Sequence, residues 1–170
     1  VPNEYESKGV AQYETGLFKR LPELVEPGSV VYDVGANIGV HVARAAQLVG
    51  ASGRVIAVEP NTENCRLLLL TTANNDFHNV TLIPSALSDT GDWTWFGTHI
   101  GSNGGALPFN NETLTEGFGF IVPIRRLDDI APAGTTVIKI DVEGAEVSVL
   151  KSGLQTIQRD RPWVIMEFSC

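Results

Sequence analysis

Residues 33–39, Asp-Val-Gly-Ala-Asn-Ile-Gly, follow the apolar run Val30-Val31-Tyr32 and place a carboxylate, an amide and two glycines in one short turn. Gly35 and Gly39 allow a tight turn and a close approach to the backbone, and the helix that follows adds a partly positive N-terminus. The pyrophosphate fingerprint G-x-G-x-x-G needs a glycine where Asn37 stands, which argues against a dinucleotide. Asp33 would repel a phosphate, yet it can accept hydrogen bonds and attract a cation, so a ligand with an ammonium and a sulfonium suits it. About twenty residues further on, a second apolar run ends in Glu59-Pro60, where an acid can accept both hydroxyls of a ribose. A nucleoside without phosphates satisfies both positions.

The elements that must hold these residues alternate between strand-length apolar runs and helical stretches, the pattern of a parallel sheet with crossover helices. The spacing predicts a helix over Tyr13–Val25, a strand over Val30–Asp33 and a helix over His41–Val49 stopped by Gly50. A strand at Arg54–Glu59, a helix at Asn61–Asn74 and a strand at Val80–Ser85 follow. Between Thr90 and Gly119, glycines and asparagines break every period among scattered aromatics, which predicts an irregular insertion or a hairpin. Beyond it a short strand is expected at Phe120–Ile124, a helical turn at Leu127–Ile130, strands at Thr136–Asp141 and Trp163–Phe168, and a helix at Glu146–Ile157. Such sheets bind ligands outside the carboxyl ends of their strands, near the point where strand order reverses. The DVGANIG turn opens at such an end.

The 170 residues, 43% of them hydrophobic, suffice for one domain with a core, expected as a helical segment over 1–28 and an α/β body over 29–170. A formal charge of −8, with no basic run longer than Arg125-Arg126, argues against nucleic acid as a partner. Cys65 and Cys170 form neither a disulfide framework nor a metal-ligand spacing. The charged start and the lack of any membrane-length apolar run predict a cytoplasmic chain with no membrane partner.

The motifs VVYDVGANIG, VIAVEPNTENCRLL, PSALSDTGD, RRLDDI, IKIDVEGAEVSVLKSG and PWVIMEF, in that order, resemble the FkbM-type methyltransferases, a branch of the class I S-adenosylmethionine-dependent enzymes. The resemblance runs from about Tyr13 to the end and implies a Rossmann-like, mostly parallel sheet with helices on both faces. It implies adenosylmethionine lying across Asp33, Gly35, Ala36, Asn37 and Gly39, with ribose on Glu59 beside Pro60, adenine near Ser85 and Ala86, and Asp141 at its edge. O-methylation of a small-molecule or glycan acceptor, with S-adenosylhomocysteine as product, is the activity it implies. The family fold continues past the fifth strand into an antiparallel edge pair, whereas this chain stops at Phe168-Ser169-Cys170; a piece of a longer chain and a pared-down fold are both open.

A hydroxyl acceptor must shed a proton. Asp141 and Glu143 follow the fourth core strand at the ligand edge, and one of them is the candidate general base. Glu167 matches the family's strand-end glutamate and either faces the acceptor or sits solvated at a strand tip. These three are oxygen donors of the kind Mg²⁺ takes, but the resemblance requires no metal and none is expected. Glu146 reads first as a capping or packing residue, and His41 as structural before catalytic. Lys139, alternating with Ile138 and Ile140, is expected under a helix with a carboxylate partner, supporting the loop. Tyr13 and Glu14 either shape the cofactor pocket or lie on a helix surface, and Cys65 reads as buried packing. A non-catalytic nucleoside-binding module and a nicotinamide-dependent dehydrogenase are the other two readings; the missing glycine and Asp33 weigh against the second.

Overall fold

The computed structural model describes residues 15–98, 104–108 and 119–166. Five strands form a parallel sheet: β1 (Val30–Val34), β2 (Arg54–Val58), β3 (Val80–Ile83), β8 (Thr135–Ile140) and β9 (Trp163–Met166). Their spatial order, β3-β2-β1-β8-β9, reverses between β1 and β8. The strand tips on either side of that reversal are Asp33-Val34 and Ile140-Asp141, so the DVGANIG turn stands at the switch point.

Side-chain alternation divides the core in two. Val31, Val55, Ala57 and Val137 pack against α1 (Thr15–Leu24), α2 (Val40–Val49) and α3 (Thr62–Asn74), through Leu21, Val42, Ala46 and Leu68 among others. Tyr32, Val34, Ile56, Val58, Ile138 and Ile140 pack on the other face, against α4 (Leu127–Ile130), α5 (Glu146–Ser152) and α6 (Leu154–Asp160). Both faces are therefore covered, as the mostly apolar strands require. Within this second core the Tyr32 hydroxyl donates to the Ile130 carbonyl at 2.6 Å, and burial pushes its pKa up to about 12.

The predicted elements are present with informative differences at their ends. β3 stops at Ile83 rather than Ser85, because Pro84 has no N–H to continue the ladder. Ala86 and Leu87 then form a short strand, β4, paired with Ile124 and Arg125. The single helix expected over Glu146–Ile157 is two, separated at Gly153, where a Cβ would overlap the Leu127 side chain. The Asp128 carboxylate accepts from the N–H groups of Gln155 and Thr156, so the first turn of α6 is capped from α4. The last strand is described to Met166.

The tract read as an insertion or hairpin contains β5 (Trp93–Thr98) and β6 (Gly104–Pro108), antiparallel, with β5 also antiparallel to β7 (Gly119–Arg125). With β4 they make a second sheet ordered β4-β7-β5-β6. Two glycines of this tract, Gly97 and Gly119, are cross-strand partners beneath the indole of Trp95, and a Cβ on either would overlap that ring.

Asp160 closes the far end of the sheet. Its carboxylate accepts from Arg159 Nε at 2.8 Å and Nη2 at 2.7 Å and from the Thr135 N–H at 3.0 Å, joining α6 to the start of β8. The Arg159 hydrogen bonds hold its pKa well below the usual carboxylate range. A depressed pKa in the folded state means that the stabilisation is present above the unfolded value and is lost as the pH falls through and below about 4. Asp160→Asn is expected to lower the melting temperature by about 2–4 °C at neutral pH, with the gap to the parent chain narrowing in acid. Thermal scans across pH test this.

Candidate active site

Two carboxylates organise the carboxyl ends of the strands. Glu59, just beyond β2, is 4% exposed, and its Oε2 accepts from the Asn37 N–H at 2.8 Å. Its Oε1 accepts from the Asn61 N–H at 2.8 Å and from Asn64 Nδ2 at 3.3 Å. Asn61 meanwhile caps α3, its side chain accepting from the N–H groups of Glu63 and Asn64. Desolvation by burial raises the Glu59 pKa despite these donors. Asn37 itself has φ 49°, a left-handed conformation that asparagine tolerates better than most residues.

The second carboxylate is Asp33. Its Oδ1 accepts from Lys139 Nζ at 2.9 Å, across the β1–β8 register that pairs Asp33 with Lys139. The same ammonium donates to the Gly35 carbonyl at 3.3 Å and lies 3.6 Å from Asp141 Oδ2. Lys139 thus meets the helix-side face and the carboxylate partner expected of it. The cation that Asp33 meets in this structure is internal to the chain.

At both glycines the close neighbour of the backbone is another part of the chain. Gly35 has φ +76°, and a Cβ there would overlap the Asp141 carbonyl oxygen; its neighbour is the tip of β8. Gly39 has φ +91° and faces Leu68, whose Cγ would lie 3.0 Å from an added Cβ. Both positions serve the turn and its packing. Ala36 is buried beside them and His41 is buried in the first turn of α2.

Ser85 lies in the turn after β3, buried, with no hydrogen-bond partner for its Oγ among the described residues. Pro60 lies between Glu59 and the α3 cap, and Ala86 is taken into β4. Beyond β8, Asp141 has a side chain 25% exposed, and Glu143 is exposed at φ 53°. Glu146 Oε1 accepts from the Gly144 N–H at 2.9 Å, the supporting role rather than the chemical one. Cys65 is packing: its thiol donates to the Glu59 carbonyl at 3.2 Å, and burial pushes its pKa up to about 11. Glu167, Tyr13, Glu14 and Cys170 lie outside the described residues. Among the described residues no group of three His, Cys, Asp or Glu side chains could hold a metal ion. Sequence reasoning did not include Asn61 and Asn64, the groups that hold Glu59; the signal available was an asparagine at a helix N-cap two residues after the acid.

Hydrogen-bonding capacity is left at these strand tips among the described residues. Glu59 Oε2 accepts one hydrogen bond where a carboxylate oxygen accepts two, and Ser85 Oγ and Asp33 Oδ2 have none among the described residues. These atoms belong to the tips of three adjacent strands. Residues 33–169 match the methyltransferase FkbM domain. The chain is 32% identical over 152 residues to the hexuronic acid methyltransferase AglP of Haloferax volcanii, covering 85% of this chain and 58% of that protein. It therefore spans little more than half the length of that relative. Among solved structures, a methyltransferase FkbM from Methylobacillus flagellatus superposes with a TM-score of 0.58 at 21% identity, over 88% of this chain and 39% of that one. Fibrillarin from Aeropyrum pernix, solved with S-adenosyl-L-methionine bound, superposes with a TM-score of 0.50 at 15% identity, over 84% and 46% of the two chains. These two likenesses establish the Rossmann-like methyltransferase fold.

Removing Glu59 strands three donors, two of them backbone N–H groups. Glu59→Ala is expected to cost about 2–4 kcal/mol of stability, and Glu59→Gln less, because one acceptor oxygen survives. Gly35→Ala, which sets a Cβ against backbone at positive φ, is expected to be worse than Gly39→Ala, where a leucine side chain has to yield. Denaturant unfolding of the four variants checks both orders.

Proposed function

This chain belongs to the FkbM methyltransferase family, and from that premise we propose that it transfers a methyl group from S-adenosylmethionine to a hydroxyl oxygen of a sugar or glycan. The hexuronic acid methyltransferase among its relatives makes a hexuronic acid the first acceptor class to test. The observation that carries the reading is the junction of Asn37 with Glu59, which sets the turn after β1 against the acid after β2 with acceptor capacity left on Oε2.

When bound, adenosylmethionine supplies an electrophilic methyl on its sulfonium. Glu59 takes the ribose hydroxyls, which donate to its ionised form, and Ser85 Oγ offers a hydrogen bond at the adenine edge. Asp141 and Glu143, at the part-exposed and exposed tip beyond β8, are the groups placed to take the proton that the acceptor hydroxyl loses as its oxygen gains the methyl. Such a base contributes about 10²–10⁴-fold. Alignment of acceptor and methyl donor, the larger task, can supply roughly 7–11 kcal/mol.

Calorimetric titration with S-adenosylhomocysteine is expected to show binding by the parent chain and its loss in Glu59→Gln. Because ribose donates to the carboxylate, protonation of Glu59 weakens binding, and its raised pKa starts the loss at a higher pH than an ordinary glutamate would. Affinity should fall as the pH is lowered toward the ordinary glutamate range, with the fall beginning above that range. Absence of binding by the parent chain would sink the adenosylmethionine reading. Binding without transfer of a labelled methyl to a glucuronic-acid-bearing glycan would favour a nucleoside-binding module.

A further inference from the structure

Three charged groups meet at the switch point, and only one is a cation. Lys139 Nζ is 2.9 Å from Asp33 Oδ1 and 3.6 Å from Asp141 Oδ2, so the cluster keeps one net negative charge when all three are ionised. Exposure decides where that charge is felt: the side chains of Lys139 and Asp33 are 7% and 3% exposed, and that of Asp141 is 25% exposed. The ammonium also donates to the Gly35 carbonyl at 3.3 Å, which fixes it to the tip of β1. A lysine rooted in β8 and clamped on β1 presents its charge to Asp141 from a fixed point. Asp33 Oδ2 has no partner among the described residues, yet its carboxylate is already balanced by Lys139, so a neutral donor satisfies it.

We propose that Lys139 is a positioning residue: it neutralises Asp33 and orients Asp141, so the carboxylate offered to the ammonium end of the cofactor is Asp141, and Glu143 is left to take the acceptor's proton. The proposal rests on the adenosylmethionine reading above. It departs from the sequence reading, in which Asp33 attracts the ligand's cation.

Two probes separate the halves of the ligand. S-adenosylhomocysteine carries the ammonium; methylthioadenosine carries the same nucleoside and thioether without the amino-acid end. Their affinity ratio therefore reports the contacts of the amino-acid end, the change in that ratio when the Asp141 charge is removed reports the cation contact, and methylthioadenosine alone reports the nucleoside site. Asp141→Asn, at a part-exposed position, is expected to reduce the preference for S-adenosylhomocysteine roughly tenfold, within the range for residues of one polar network, and to leave methylthioadenosine binding at the parent level. The paired change Asp33→Asn with Lys139→Met removes both buried charges together. It is expected to fold and to bind methylthioadenosine normally, yet to lose the same preference because Asp141 has lost its tether. A preference kept by either variant overturns the proposal, as does a parent chain that binds both probes equally. A parent chain that binds neither probe fails the adenosylmethionine reading itself. Asp141→Asn decides the matter alone if the paired variant does not fold.

Discussion

The ion pair between Lys139 and Asp33 joins β1 to β8 at the centre of the sheet. The two residues are opposite each other in neighbouring parallel strands, on the face covered by α1, α2 and α3. A slip of one residue between β1 and β8 would turn Lys139 into the apolar layer of Tyr32 and Ile138, away from its partner. An ion taken out of water without its partner costs several kcal/mol, so the pair selects one register at the join between the two halves of the sheet. That join is also the switch point, and the same contact sets the relative position of the DVGANIG turn and the Asp141 tip.

A second polar junction extends this order to β2 and α3. Glu59 is held by two backbone N–H groups and one side-chain amide, so the turn after β1, the tip of β2 and the start of α3 are joined through one carboxylate. Gly35 lets the β1 turn run against the Asp141 carbonyl without a clash. The consequence is a preorganised set of strand tips, in which hydrogen-bonding capacity remains on Glu59, Asp33 and Ser85. Preorganisation of this kind suits a reaction whose main demand is orientation.

The second sheet shows how local irregularity can be tertiary order. Gly97 and Gly119 carry no side chain because Trp95 lies across them, and the pairing of β4 with β7 ties this sheet to the chain leaving Ser85. Neither reason is local in sequence. The glycines come from two different strands, and the indole they seat belongs to one of them.

The sequence by itself determined the alternation of strands and helices, the turn at 33–39, the acid at Glu59 and the family, because each depends on short-range periodicity or on motifs in order. It also indicated that Lys139 would need a carboxylate, since a charge amid Ile138 and Ile140 has no other way to be buried. Only the tertiary structure decided which carboxylate: Asp33 lies 106 residues away in the chain and becomes a neighbour through strand pairing. The same is true of Glu59, whose donors come from a turn and a helix cap, and of Gly35, whose neighbour is the tip of β8. Periodicity records which face a side chain takes; the partner it meets there depends on how distant strands are brought together.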